Sequence, residues 1–200
     1  MSSRRLVLAS TSPYRRKLLV SLGLRFECLP PGVDEQPQPG EDGVALALRL
    51  ALAKAHAGAR QRPDALVIGS DQVAVRDGEV LGKPLQHAAA VAQLRASAGR
   101  ELRFLTAVCL VDAAIVAKQG HADVQSHVDV TQVRMRPLTN DEIERYLARE
   151  PAYDTAGSFK VEGLGISLFE WIRSNDPTAL QGLPLIWLCA ALARAGLPVI

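Results

Sequence analysis

A four-residue apolar run, Leu6 to Ala9, ends abruptly in the polar heptapeptide Ser10 to Arg16, SerThrSerProTyrArgArg. This junction constrains the fold more than any other stretch. Leu6 to Ala9 reads as a buried strand and the small hydroxyl residues as a turn. A helix over Ser12 to Leu22 follows, with Ser12 as N-cap, Pro13 as its first residue and Gly23 as its stop. Such a helix start, with hydroxyls and two arginines, is either an ordinary capped helix with a solvated basic face or an anion site suited to phosphate. The basic groups Arg4, Arg5, Arg15, Arg16, Lys17 and Arg25 meet no acidic residue in this region.

Composition narrows the function classes. With 200 residues, 48% of them hydrophobic, the chain can build one large domain or two small lobes. A net charge of +2 argues against coating a nucleic-acid polymer. Charge is segregated locally, since Asp34, Glu35, Glu41 and Asp42 follow the basic segment. Cys28, Cys109 and Cys189 are odd in number and far apart, which disfavours a disulfide framework and fits a reducing cytosol. No CysxxCys or HisxxxHis pair marks a zinc site. Arg4-Arg5 before the apolar run superficially resembles an export signal, but the run is too short. No uncharged apolar stretch of about 18 residues occurs, so no membrane span is expected; even Val44 to Ala53 contains Arg49. The expectation is a cytoplasmic protein.

Further along, Phe26 to Leu29 reads as a short strand and Pro30 to Gly40 as a loop. Val44 to Ala59 is a helix, apolar nearly all round and therefore largely buried. Leu66 to Gly69 is a buried strand ending at Ser70-Asp71. Asp77-Gly78 is a hairpin turn between Val73–Val75 and Val80–Leu81. Ala88 to Ala98 is a helix; Leu102 to Asp112 and Val124 to Arg136 are long strands, the second with Val128, Val130, Gln132 and Arg134 on one side. Thr139 to Glu142 matches a capping box that opens a helix to Arg149. Tyr153 to Gly165 is a loop with a short strand, and Pro184 to Ala195 a final helix. Two adjacent long strands break a pure βαβ rhythm, so the fold class is α/β with a mixed sheet. No repeat or linker divides the chain. His56, His87, His121 and His127 show no partner spacing and are expected to be structural or solvated. Trp171 and Trp187 sit at helical or near-helical positions and are expected in the core.

Four polar features fall where apolar elements end: Ser10 to Arg16, Val33AspGlu35, Gly69SerAspGln72 and Gly82LysPro84. Lys54 stands alone on an apolar helix, where a lysine either snorkels or meets an anion. Singly, each has a bland alternative: Asp71 as a turn carboxylate, Glu35 as a solvated loop residue, Lys83 as an exposed turn residue. Together, arginines and lysines can cradle a triphosphate, while Glu35 and Asp71 can hold a divalent cation with oxygen ligands. That inventory suits attack of water on a phosphoanhydride. No Walker or GlyxGlyxxGly motif is present.

LeuAlaSerThrSerProTyrArgArg, ValAspGlu, GlySerAspGln, GlyLysPro, AlaGlySerPhe and GlyLeuProLeu stand in the order found in the Maf family of nucleotide pyrophosphatases, which this chain resembles over residues 6 to 186. SerProTyrArgArg, SerAspGlnVal, AlaGlySerPheLysValGluGly and AspProThrAlaLeuGlnGlyLeuProLeu resemble the subfamily acting on 7-methyl-GTP. The resemblance implies an elongated mixed twisted sheet flanked by helices, with two lobes and a cleft, as in inosine triphosphate pyrophosphatases. It treats residues 1–200 as a single domain. It implies hydrolysis of a nucleoside triphosphate to the monophosphate and pyrophosphate with a divalent cation (Mg2+, Mn2+ or Co2+). Asp71 matches the catalytic carboxylate; Ser10, Arg15, Arg16, Glu35, Lys54 and Lys83 fall in the phosphate and metal site; Tyr14, Gln72 and Glu162 match the positions that separate subfamilies. A ring at Tyr14 can stack on a methylated, cationic guanine, and Glu162 can accept hydrogen bonds from its N1 and N2 edge. The competing readings are a pyrophosphatase for dTTP/UTP or another modified nucleotide, and a nucleotide-binding regulator of cell division. The expected partner is the small-molecule nucleotide, with neither a nucleic-acid polymer nor a membrane. A homodimer is compatible with the C-terminal helix residues Ile186, Trp187, Leu188 and Leu192, although core is the favoured place for them.

Overall fold

Three twelve-residue strands carry the architecture: β3 (Ala65–Arg76), β5 (Glu101–Asp112) and β6 (Val124–Met135). The computed structural model describes residues 4–115 and 124–200; His121 lies outside them. Four shorter strands, β1 (Arg5–Leu8), β2 (Glu27–Cys28), β4 (Glu79–Leu81) and β7 (Phe169–Arg173), complete a seven-stranded sheet. Its order is β2-β1-β3-β5-β6-β7, with β4 paired to β3. Strand β1 runs parallel to both β2 and β3, whereas β3–β4 and β6–β7 are antiparallel, so the sheet is mixed. Helices α1 (Pro13–Val20), α2 (Gly43–Gln61), α3 (His87–Ser97), α4 (Asn140–Arg149) and α5 (Leu185–Arg194) flank it. Among the described residues no helix is long and apolar enough to cross a membrane.

The chain groups into two compact units. The first takes the described residues within Met1–Gln72, Thr106–Asp129 and Asp176–Ile200; the second takes Val73–Leu105 and Val130–Asn175.

The first unit has a core of Leu6, Leu8, Leu19, Leu66, Ile68, Val108, Leu110, Leu183, Leu188 and Leu192. Its helix α2 begins at Asp42, whose Oδ1 accepts from Ala45 N at 2.8 Å. Ala47, Ala51, Lys54, Ala55 and Gly58 recur at helical spacing and are all buried. The small residues on this stripe let α2 approach the sheet closely. At Gly69 of β3 an added Cβ would collide with Ala51 O and come within 2.5 Å of Ala55 N.

The second unit contains α3, α4 and an aromatic trio. Phe159 meets Phe104 edge-on at 5.3 Å and Phe169 at 4.8 Å between ring centroids. The Thr139–Glu142 capping box forms in both directions and starts α4. Its apolar face of Ile143, Tyr146 and Leu147 is buried. Asp77 and Gly78 both take positive φ, 51° and 86°, as a tight two-residue hairpin turn requires.

Several sequence expectations need correction. Strand β3 does not end at Ser70-Asp71 but continues to Arg76. Buried polar residues do not stop a strand whose neighbours satisfy them, and Ser70 and Asp71 are both bonded. On β6, Val128, Val130, Gln132 and Arg134 do share one side, but it is the outer one: the buried face is Asp129, Thr131, Val133 and Met135, and Val130 is exposed. No strand forms within residues 153–165, which make turns and open a 3-10 segment (Leu164–Leu168). The strand lies later, at β7, so Trp171 is on a strand, half-buried beneath the Arg173 guanidinium at 4.4 Å. His127 stacks on Trp187 at 5.7 Å, and His87 bonds Tyr153 and Glu144. On α5, Leu188 and Leu192 are core, whereas Ile186 is exposed.

Candidate active site

The parallel ladder between β1 and β3 ends at Leu8 and Ile68. Beyond it β3 carries Ser70, Asp71 and Gln72, the place at the carboxyl end of β1 where α/β sheets bind ligands. Close packing of α2 at Gly69 puts Lys54 opposite this stretch. The Lys54 ammonium lies 2.6 Å from Asp71 Oδ1 and 2.6 Å from Glu35 Oε1. Lys54 and Asp71 are buried, and Glu35 is half-exposed. Of the two fates open to a lysine on a buried helix, this one has met its anions. Removing one member of a buried pair typically costs about 3–5 kcal/mol, so Lys54 holds Asp71 firmly, with the half-exposed Glu35 as its second partner.

Arg15 extends the charged cluster. Burial pulls its guanidinium below the ordinary arginine value, and the negative charges of Asp71 and Glu35 oppose that shift. Arginine stays protonated near neutrality regardless. Its Nε donates to Gly182 O at 2.8 Å. The Ser70 hydroxyl is 2.9 Å from the same oxygen and 2.7 Å from Ala107 O. Gly182 therefore holds the arginine from behind through its carbonyl, leaving the remaining guanidinium nitrogens for an anion.

The Glu35 loop is fixed from α2. Arg49 makes a two-pronged pair with Glu41, at 2.6 and 2.8 Å, and donates to Gln36 O at 2.9 Å. Hydrogen bonds from Arg49, then from Gln38 N, hold the Glu41 carboxyl down at about 2. Arg49 and Gly182 had no assigned role in the sequence. The signals are a charge inside an apolar helix and the glycine that opens GlyLeuProLeu, neither of which names a partner.

The helix-start reading holds: Ser12 caps α1, with its side chain accepting from Arg15 N at 3.4 Å and Pro13 following. Ser10 is buried and its hydroxyl accepts from Ser12 N at 3.1 Å. Tyr14 is half-buried and Arg16 exposed. The Gln72 amide nitrogen faces Thr106 Oγ1, Ala179 O and Leu180 O at 2.9–3.1 Å. What Gln72 can offer a ligand is its carbonyl oxygen.

Lys83 and Glu162 belong to the second unit. Both are exposed. The turn bearing Lys83 is held by Gln93, whose amide donates to Gly82 O at 3.1 Å and accepts from the Ser158 hydroxyl at 2.5 Å. Leu85 N donates to Tyr153 O at 2.9 Å. Leu85 and Ser158 both take φ of 62°, a left-handed conformation costly for residues with a Cβ.

The donor set at Lys54 fits a hard divalent cation. Two carboxylates converge on one positive point, and such cations take one or two carboxylates with phosphate and water oxygens. Among the described residues no group of three or more acidic, histidine or cysteine side chains forms a closed cage.

The sequence profile of the family described as "Maf-like protein" matches residues 5–195. A protein of Xanthomonas oryzae pv. oryzae named "7-methyl-GTP pyrophosphatase" is 58% identical over 192 residues, covering 96% of this chain and 97% of that one. Proteins of the same name from Bordetella avium and Nitrosococcus oceani are 52% and 48% identical, covering 96% and 98% of this chain and 94% and 95% of theirs. Among solved structures, the Ham1 protein of Staphylococcus aureus aligns with a TM-score of 0.53 at 14% identity, over 96% of this chain and 100% of that one. That likeness is one of fold.

Proposed function

We propose, from the premise that this chain belongs to the Maf-like protein family, that it hydrolyses a nucleoside triphosphate, 7-methyl-GTP, to 7-methyl-GMP and pyrophosphate. The name shared by relatives at 48–58% identity supports the substrate. The observation that carries the chemistry is the buried Lys54 ammonium shared by Asp71 and Glu35 at 2.6 Å each.

Asp71 is the base: its carboxylate orients a water and takes its proton as the oxygen attacks phosphorus. Lys54 and Arg15 offset charge gathering on the phosphate oxygens, from positions fixed by α2 and by Gly182 O. Glu35 and Asp71 would hold a divalent cation (Mg2+, Mn2+ or Co2+), which when bound neutralises phosphate charge. Ser10 and the start of α1 supply hydroxyl and backbone donors to the tail, with Arg16 and Lys83 adding charge. Tyr14 stacks on the methylated base, the Gln72 carbonyl is available to accept from a ligand, and Glu162 accepts from guanine N1–H and N2–H.

Asp71→Asn tests this reading. Turnover of 7-methyl-GTP is expected to fall about 10²–10⁴-fold, with nucleotide binding retained. Product analysis should show pyrophosphate and monophosphate. Undiminished turnover, or release of single phosphates, would overturn it; a nucleotide-binding regulator would tolerate the change.

A further inference from the structure

The segment bearing Glu162 is irregular, yet it is gripped at three backbone nitrogens by two side chains of one helix end. Tyr146 lies in the last turns of α4 and Glu150 is the residue that closes it. The Tyr146 hydroxyl accepts from Lys160 N at 3.1 Å and donates to Glu150 Oε2 at 3.0 Å. The Glu150 carboxylate accepts from Leu164 N at 3.2 Å through Oε1 and from Gly165 N at 3.1 Å through Oε2. Lys160 O receives Gly163 N and Gly165 N, both at 3.1 Å. Glu162 is thus enclosed on both sides by fixed backbone.

Two further observations point the same way. A Cβ at Gly163 would collide with Glu150 Oε1, so the carboxylate lies where it does only because position 163 is a glycine. The Glu162 charge is also felt at Tyr146. Burial is the main force raising the phenol above its ordinary value; the Lys160 N–H bond opposes it, and Glu150 and then Glu162 add to it. The hydroxyl therefore stays protonated and able to donate to Glu150.

We propose that Glu150, acting with Tyr146, is a positioning residue for base recognition: it fixes the Lys160–Gly165 backbone so that Glu162 is presented at one place. This rests on the reading of Glu162 as the group that accepts from guanine. Glu150 itself touches no substrate. A carboxylate that must meet two base N–H groups loses selectivity when its backbone wanders, because misplacement of about 1 Å breaks such bonds.

The test uses the full chain and compares kcat/KM for 7-methyl-GTP with that for dTTP. Glu162→Ala should lower the ratio about tenfold or more. Glu150→Ala should lower it by a similar factor, chiefly through KM for 7-methyl-GTP, with kcat for dTTP little changed. Glu150→Gln, which keeps an acceptor, should recover part of the loss, and Tyr146→Phe should give a smaller one. In the Glu162→Ala background, Glu150→Ala should add no further loss of selectivity, because the two act in series. A structural defect alone would instead lower both substrates together and follow the melting temperature. If Glu162→Ala loses selectivity and Glu150→Ala does not shift it, the positioning role is overturned while the base assignment stands. An unchanged ratio in Glu162→Ala removes the base assignment and this proposal with it.

Discussion

The two units hold their candidate functional residues by different means. In the first, Lys54 on a long helix and Asp71 on a long strand pair directly, and Arg15 on a capped helix lies within reach of the Asp71 charge. In the second, Lys83 and Glu162 stand on turns, and the turns are held through their backbones by Gln93, Tyr146 and Glu150. The first arrangement locks side chains, which suits groups that must act on a reacting atom. The second locks chain segments, and it tolerates two side-chain-bearing residues at φ of 62°. Loops held this way can vary their tip residues without disturbing the frame, which suits recognition.

Three substitutions sharpen the contrast, beginning with the largest expected effect. Gly69→Ala should force α2 away from β3, because its Cβ has nowhere to go between Ala51 O and Ala55 N. Overpacking of this kind costs about 1–3 kcal/mol, and moving Lys54 should also cut turnover. Denaturant unfolding together with kinetics would read both. A stable, active Gly69→Ala would show that the first unit does not depend on close helix–strand approach.

Leu85→Gly should act in the opposite direction. The side chain is exposed and its backbone is left-handed, so removing the Cβ relieves strain of about 1 kcal/mol, partly offset by the greater entropy of an unfolded glycine. A small rise in melting temperature is expected, and a fall would show that Leu85 makes an energetic contribution its exposure hides.

The smallest effect is pH-dependent. Arg49 depresses the Glu41 carboxyl from 4.5 to about 2. A depressed folded-state pKa adds stability above the unfolded value, and that stability is lost as pH falls through the folded one. The deficit of Arg49→Met should therefore be full above about pH 4.5 and should vanish as pH approaches 2. Glu41 is half-buried, and a single ion pair near the surface contributes modestly. Parallel melting curves of the two proteins over that range would check it; a deficit constant with pH would assign Arg49 a packing role instead.

Much of this molecule is legible in the chain because its signals are local. Ser12-Pro13, the Thr139–Glu142 box and Asp77-Gly78 each satisfy a backbone demand within a few residues, and each forms as read. The alternation on β6 is less legible, because its buried face carries Asp129 and Thr131 as well as Val133 and Met135. In the sequence, β3 reads as ending at Ser70-Asp71 for the same reason: a polar residue marks an end unless its partner is known, and the partner of Asp71 is Lys54. Of the residues that hold the site, Arg49 on Glu41 belongs to no motif, and Gly182 behind Arg15 opens GlyLeuProLeu, which names no partner. Their partners lie 8 and 167 positions away.

The order of elements, their caps and turns, and the set of charged groups follow from the sequence, since short-range sterics and hydrogen bonding decide them. Which charges meet was decided only by tertiary packing. An ammonium finds two carboxylates because a helix of small residues lies close against a strand at Gly69, and a glutamate at a helix end finds two backbone N–H groups, of Leu164 and Gly165, because a later loop folds onto it. Spacing along a chain carries no record of such approaches; desolvation and the geometry of the packed layers create them.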